Sequence, residues 1–139
     1  YQAGELKVVG YQANKQVNSA VLRSALEPVQ IKLSADRTQI RADGQDLSYI
    51  TVELTDENGV RNPKAENLVK FEIEGPGEII GVGNANPLST ESYTASERKA
   101  WQGKCLIIVK STGDEGMITL RLNSKEVRQS IIQIIAKND

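Results

Sequence analysis

The sequence contains no histidine and only one cysteine, and these two shortages exclude several kinds of catalytic chemistry. Without histidine there is no Ser-His-Asp triad, no Cys-His pair and little scope for the usual zinc sites. A single thiol also cannot form a disulfide within the chain. Cys105 opens the apolar run CLIIV, which is typical of a buried strand residue rather than of a nucleophile.

Aromatic residues are scarce as well, at 4% of the 139 residues, and the net charge is only −1. Because no basic stripe runs along the chain, nucleic acid is not expected as a partner. No apolar run approaches the length of a membrane span and no signal peptide is recognisable, so a membrane is not expected either. The sequence begins at Tyr1, directly in strand-like residues, and we therefore expect a piece of a longer polypeptide.

What the sequence has in abundance is alternation of apolar and polar residues with a period of two, which is typical of strands with one buried face. The residues predicted to face inward on this pattern are Ile50, Val52, Leu54, Phe71, Ile73, Ile118 and Leu120. Turn signals such as Asp43-Gly44 separate the short strands, and no segment has a sustained helical period. The predicted fold over residues 28–139 is an all-β, immunoglobulin-like antiparallel sandwich.

Residues 1–27 contain two further strand-like runs on either side of Ala13-Asn14, with Leu6, Val8 and Val17 at apolar positions. An isolated hairpin is only marginally stable in water, so these strands need another layer to pack against. We expect a hairpin that is the tail of a preceding sandwich domain or that packs on the main domain. The boundary is placed before Pro28, where proline opens a new strand.

The glycine-rich stretch at residues 75–87, GPGEIIGVGNANP, raises the question of a phosphate-binding loop. A dinucleotide fingerprint needs a third glycine where this chain has Ile80, and no Gly-Lys-Ser/Thr follows for a P-loop. No helix follows whose N-terminus would hold an anion. The glycines are better explained as a tight turn at Gly75-Pro-Gly77 and a bulge or close backbone approach near Gly81 and Gly83. No cofactor is therefore expected.

Carboxylates are the remaining candidates for catalysis, since glycosidases use a pair of them. The chain has 18 acidic residues, but most lie in turns or at strand positions that face water, and no pair has an identifiable buried setting. The run Asp56-Glu-Asn-Gly59 lacks the ligand spacing of a calcium loop and is predicted to be a hairpin turn. We therefore assign no catalytic residue and no metal ligand.

The longest polar loop runs from Asn84 to Lys99, and Trp101 follows it. Two interpretations of the aromatic residues remain open here. In one, Tyr93 and Trp101 stack on a sugar ring and are carbohydrate contacts. In the other, which we expect, a mostly buried Trp101 pins the loop to the sheet, while the stems of Arg98 and Lys99 cover the indole and their charges stay in water.

Several motifs in the same order carry a family resemblance. They are ADGQDLSYITVELTDENG at 42–59, VKFEIEGPG at 69–77, IGVGN at 80–84 and KAWQGKCLIIV at 99–109. Together they resemble the C-terminal immunoglobulin-like domain of glycoside hydrolase family 2 enzymes of the β-galactosidase type from Bacteroides and its relatives. They are more distantly similar to invasin- and intimin-type immunoglobulin-like repeats. The segment GELKVVGY at 4–11 resembles the tail of the preceding sandwich in those enzymes.

The resemblance implies a non-catalytic accessory domain of a secreted, periplasmic or extracellular glycoside hydrolase. The implied partners are the neighbouring domains of the parent enzyme and a second subunit. The catalytic glutamates of that family lie on a (β/α)8 barrel, so none is carried over to this chain. The alternative interpretation is a carbohydrate-binding or adhesin-like module.

Two departures from the family pattern stand out. Family members often have GNGDP where this chain has GNANP, so Ala85 and Asn86 replace a glycine and an acid. Trp101 replaces the usual phenylalanine, a change that suits packing and binding equally well.

Overall fold

The protein is all-β in the computed structural model, which describes residues 3–138. The described chain contains eleven strands, and within it there is no helix that could cross a membrane. The strands are β1 Glu5–Gln12, β2 Lys15–Arg23, β3 Gln30–Ala35, β4 Gln39–Arg41, β5 Leu47–Thr55, β6 Leu68–Glu74, β7 Gly77–Gly83, β8 Glu97–Lys99, β9 Lys104–Ser111, β10 Gly116–Ser124 and β11 Val127–Lys137.

Strands β3 to β11 form the two layers of a sandwich. The first layer has the order β7-β9-β5-β3, and the second has the order β8-β6-β10-β11 with β4 on the outer side of β11. All pairs within the first layer are antiparallel. Two short parallel pairings depart from the antiparallel pattern: β4 runs beside β11, and Gln30 of β3 meets Arg128 of β11 where the layers join. The predicted immunoglobulin-like sandwich is confirmed.

The core lies between the two layers and is built from alternate residues of each strand. Its fully buried members in the central strands are Ile50, Val52, Leu54, Ile107, Val109, Ile118, Leu120, Leu122 and Ile134. Of the residues predicted to face inward, six are buried, and Ile73 is partly buried against this core. Because successive strand residues point to opposite faces, the remaining strand positions form two outer surfaces.

The glycine-rich stretch is structural at its start, as the sequence indicated. Gly75 has a φ of 92°, and a Cβ there would lie 2.1 Å from the backbone oxygen of Met117. Only glycine fits such a close approach of two backbones. The pairing of β7 with β9 shifts register between Ile79 and Gly81, which is the expected bulge. The stretch therefore turns the chain from the second layer into the first.

Strands β1 and β2 form a separate hairpin that precedes the sandwich. Their register places Leu6 opposite Leu22 and Val8 opposite Ala20, so these four side chains share one face. Leu6 is 61% exposed and Leu22 is 69% exposed, so this face has no covering layer within the described chain. The division at residues 27 and 28 into two domains stays a prediction, because the structure describes only a hairpin of the first unit.

The linker between hairpin and sandwich is held by Asp56, which follows β5. Its carboxylate accepts hydrogen bonds from the backbone N–H groups of Leu26, Asn58 and Val60 at 2.9–3.0 Å. These bonds lower the pKa of Asp56 below its ordinary value, and the bond from Leu26 has the largest effect. Burial acts in the opposite direction but does not outweigh them. Asn62 donates from its side chain to the carbonyl of Leu26 at 2.8 Å. The run 56–59 is therefore a turn whose acid fixes the linker.

Candidate functional site

A groove of about 670 Å³ lies on the outer face of the first layer, beside the turn that joins β8 to β9. It is lined by Thr51, Arg61, Gly83, Asn84, Ala85, Trp101, Gln102, Lys104, Cys105 and Leu106. Its floor follows the strand register, since Thr51 of β5 and Gly83 of β7 both lie opposite Leu106 of β9. Gly83 has no side chain, and a Cβ there would meet nothing within 4 Å, so the trough stays open.

The turn at residues 101–104 places the indole of Trp101 beside this floor. Trp101 and Lys104 exchange two backbone hydrogen bonds, of 2.8 and 3.0 Å, around Gln102 and Gly103. Both central residues have positive φ angles, of 51° and 73°, as a type I′ turn requires. Residues directly opposite in such a pair share a face, and Lys104 is in turn opposite Glu53. Trp101, Lys104 and Glu53 therefore all belong to the outer surface.

Positive charge predominates at this end of the groove. The Glu53 carboxylate lies 3.0 Å from Lys104 Nζ, 3.8 Å from Lys32 Nζ and 3.9 Å from Arg61 Nε. Arg61 also donates from Nη1 to the carbonyl of Gln102, which fixes its guanidinium at the turn that carries Trp101. Three cations thus share one carboxylate, and the local field favours an anion.

The polar loop between β7 and β8 is organised by Arg98, whose side chain is 1% exposed. Its Nη2 donates to the carbonyls of Val82 and Ser92, both at 2.8 Å. Its Nη1 lies 3.6 Å from a carboxylate oxygen of Glu91. A planar guanidinium with several fixed donors can hold such a set of acceptors at once. The buried side chain of Arg98 therefore links the loop at Ser92 to β7, the edge strand of the first layer, at Val82.

This arrangement corrects one expectation about the loop. Arg98 does not keep its charge in water, because its alternating position on β8 turns it inward beneath the loop. Trp101 has intermediate burial and lines the groove together with the first loop residues, Asn84 and Ala85, and its anchoring of the loop stays a prediction. The buried hydrogen bonds that hold the loop come from Arg98.

The two predicted carbohydrate contacts are not brought together. Tyr93 is absent from the lining of the groove, and its ring lies 5.2 Å from the guanidinium carbon of Arg98 with 71% of the residue exposed. Its ring caps the buried cation from the solvent side. Trp101 lines the groove and Tyr93 does not, and the role of either ring as a carbohydrate contact stays a prediction.

Cys105 lies at the edge of the groove as an inert buried thiol. Burial raises its pKa to about 12, so the thiolate is not populated at neutral pH. The prediction of a buried strand residue is confirmed.

The protein shifts the pKa of four described carboxyl groups, and the direction of each shift bears on acid catalysis. Where the protein shifts the pKa of a described carboxyl, at Asp36, Asp43, Asp56 and Glu91, the shift is downward. At Glu91 partial burial acts to raise the pKa, but hydrogen bonds from the Lys99 N–H and the Ser89 hydroxyl, with the charge of Arg98, outweigh it. A general acid needs the opposite shift, as in glycosidases.

The fold and the surface together define a small immunoglobulin-like sandwich domain with an open groove on its first layer and a preceding hairpin. The chain belongs to the family described as "Glycoside hydrolase family 2 C-terminal domain 5", which matches residues 31–133. The resemblance drawn from the sequence motifs is thereby confirmed.

Relatives of known sequence and structure extend over the hairpin as well. A β-galactosidase of Bacteroides ovatus, BoGH2A, is 39% identical over 137 residues, which is 99% of this chain and 16% of that protein. A β-galactosidase of Thermoanaerobacter pseudethanolicus is 36% identical over 89% of this chain and 15% of its own length. A solved family 2 glycosyl hydrolase from Bacteroides cellulosilyticus has a TM-score of 0.90 and 47% identity, covering all of this chain and 18% of that one. The chain thus spans about a sixth of the length of these relatives.

Proposed function

We propose that this chain is a non-catalytic accessory domain of a secreted glycoside hydrolase of the β-galactosidase type. The observation that supports it most directly is the match of residues 31–133 to a C-terminal domain of the family, in a chain that spans about a sixth of the length of its relatives. The downward pKa shifts at Asp36, Asp43, Asp56 and Glu91 agree with this proposal, because the acid of a glycosidase needs an upward shift. The chemistry is accordingly proposed to reside elsewhere in the parent polypeptide.

The proposed role is to pack against other parts of that polypeptide. Residues 1–27 are proposed to be the tail of a preceding sandwich, and residues 28–139 the accessory domain itself. The uncovered apolar face of the hairpin, with Leu6 and Leu22 mostly exposed, supports this assignment because such a face is unfavourable in water. Neighbouring domains and a second subunit are the proposed partners.

The parent enzyme is proposed to act in the periplasm or outside the cell. This proposal rests on the family resemblance drawn from the sequence motifs. Fractionation of cells that express the full-length polypeptide tests it, and recovery of the protein in the cytosol alone would contradict it.

An activity assay on the pure 139-residue chain tests the central proposal. The chain should release no nitrophenol from 4-nitrophenyl β-galactoside or β-glucuronide above the rate measured without protein. Glu53→Gln and Glu91→Gln serve as matched variants, because these are the carboxylates beside the groove and beneath the loop. Turnover by the wild type that disappears in either variant would overturn the assignment as a non-catalytic domain.

A further inference from the structure

The groove on the first layer combines a partly exposed indole with a trough that no side chain fills. Trp101 is the single tryptophan of the chain, and it lies where the floor at Gly83 is open. The volume of about 670 Å³ is within the range of roughly 300–1,000 Å³ that small-ligand sites occupy. Sites of this kind are mostly apolar with a few fixed polar groups, and this groove has that composition.

The residue types that line the groove suit one face of a flat, amphipathic ring. The C–H face of a pyranose is apolar, whereas its edge carries hydroxyl groups. An aromatic side chain that is half buried offers a matching apolar face, with polar neighbours at the rim. Here the amide of Gln102 and the hydroxyl of Thr51 are rim groups of the kind that sugar hydroxyls hydrogen-bond.

Charge decides which class of saccharide fits best. Lys32, Arg61 and Lys104 surround the single carboxylate of Glu53, which leaves two positive charges in excess. Arg61 and Lys104 also line the groove itself. A guanidinium and an ammonium beside a concave surface attract and orient a carboxylate or a sulfate.

We propose that the groove binds an acidic saccharide, with a pyranose ring on Trp101 and its carboxylate or sulfate group on Arg61 and Lys104. This site is distinct from the accessory role and does not depend on it, because the geometry and charge of the groove carry it alone. Tyr93 takes no part.

Fluorescence titration of the whole 139-residue chain tests this proposal, since Trp101 alone supplies the tryptophan emission. The probes are oligogalacturonate, oligosaccharides of sulfated galactan and a neutral galacto-oligosaccharide. At least one acidic probe should give a saturable change, with affinity at least about tenfold above that of the neutral probe, as loss of a charged hydrogen bond implies. Added salt should weaken the acidic probe only.

Variants locate the binding. Gly83→Val adds a side chain in open space within the groove and should lower affinity at least about tenfold without moving the unfolding midpoint. Gly4→Val, also in open space but on the hairpin side, is the matched control and should bind normally. Lys104→Gln should weaken the acidic probe selectively, and Tyr93→Ala should change nothing.

Three results would overturn the proposal. The first is the absence of a saturable signal with both acidic probes, which would leave the groove to a protein partner. The second is equal affinity for the neutral probe, and the third is full affinity in Gly83→Val. None of these three results tests the accessory role. That role is tested separately by assaying the same samples for hydrolysis of 4-nitrophenyl glycosides.

Discussion

The hairpin of β1 and β2 and the sandwich of β3 to β11 carry the same alternation of apolar and polar residues, yet they bury it very differently. Leu120 and Leu122 in β10 are fully buried, whereas Leu6 and Leu22 in the hairpin remain mostly exposed. The difference arises because each layer of the sandwich covers the other, while the hairpin has no second layer among the described residues. Alternation therefore predicts that a strand has an apolar face that needs to be buried. It does not predict which other part of the protein buries that face.

The two regions also differ in how their polar groups are used. Arg98 in the sandwich is buried and bonds two carbonyls at 2.8 Å, whereas Arg23 in the hairpin makes a solvent-exposed ion pair with Glu5 at 2.7 Å. Short distance is common to both, but only the buried group is withdrawn from competing water. We expect the stability of this chain to reside in the sandwich, and matched substitutions in the two regions test that expectation.

The largest difference in stability between matched substitutions in the sandwich and in the hairpin is expected for glycine. Gly75→Ala places a Cβ 2.1 Å from the backbone oxygen of Met117 at a positive φ, and should cost about 4 kcal/mol or more. Gly10→Ala in the hairpin places a Cβ no closer than 3.8 Å to its neighbours and should change stability by less than about 0.5 kcal/mol. Denaturant unfolding of both variants measures the difference. Similar unfolding midpoints for Gly75→Ala and Gly10→Ala would show that the backbone at Gly75 rearranges at little cost and would contradict this prediction.

A smaller but still large difference is expected for leucine. Leu120→Ala removes a fully buried side chain from the centre of the core and should cost about 3 kcal/mol through lost transfer energy and the cavity left behind. Leu22→Ala removes a mostly exposed side chain and should cost less than about 0.5 kcal/mol. Chemical denaturation followed by Trp101 fluorescence reports both values. An equal loss in Leu22→Ala would mean that the hairpin packs on the sandwich in solution.

The smallest difference is expected for arginine. Arg98→Met keeps much of the apolar stem but leaves the carbonyls of Val82 and Ser92 without their donor, which should cost about 2 kcal/mol. Arg23→Met removes only an exposed ion pair, whose contribution is at most about 1 kcal/mol. Thermal unfolding with proteolysis of the 84–96 loop as a second readout distinguishes the two. A loop that resists protease equally well in Arg98→Met would contradict the anchoring role of Arg98.

The inward faces of the sandwich could be predicted from sequence because burial leaves a local trace there. Ile50, Val52 and Leu54 alternate with polar residues, and that period of two is fixed by the geometry of any strand. The turns at Gly75 and Asp56 could likewise be predicted, because glycine, proline, aspartate and asparagine mark turns by their residue type alone. Such features need no knowledge of which strands pair.

The groove and the anchor of the loop could not be predicted, because both depend on contacts between distant segments. Arg98 stands in the charged run Glu-Arg-Lys, where composition favours exposure, and β8 has only three residues from which to infer a face. Trp101, Arg61 and Gly83 meet only through the register of β5, β9 and β7 and the turn at 101–104. A local pattern contains no record of that register.

Native-state amide hydrogen exchange on the 139-residue chain tests most directly whether the sandwich is self-sufficient and the hairpin is not. Amides that pair β1 with β2 should exchange through local opening, at least about a thousandfold faster than those of β5 and β10, which should exchange only on global unfolding. This result would show that the sandwich is stable by itself and that the strand pair needs another layer. Equal protection in both regions would contradict the account, since the hairpin would then be an integral part of one cooperative unit.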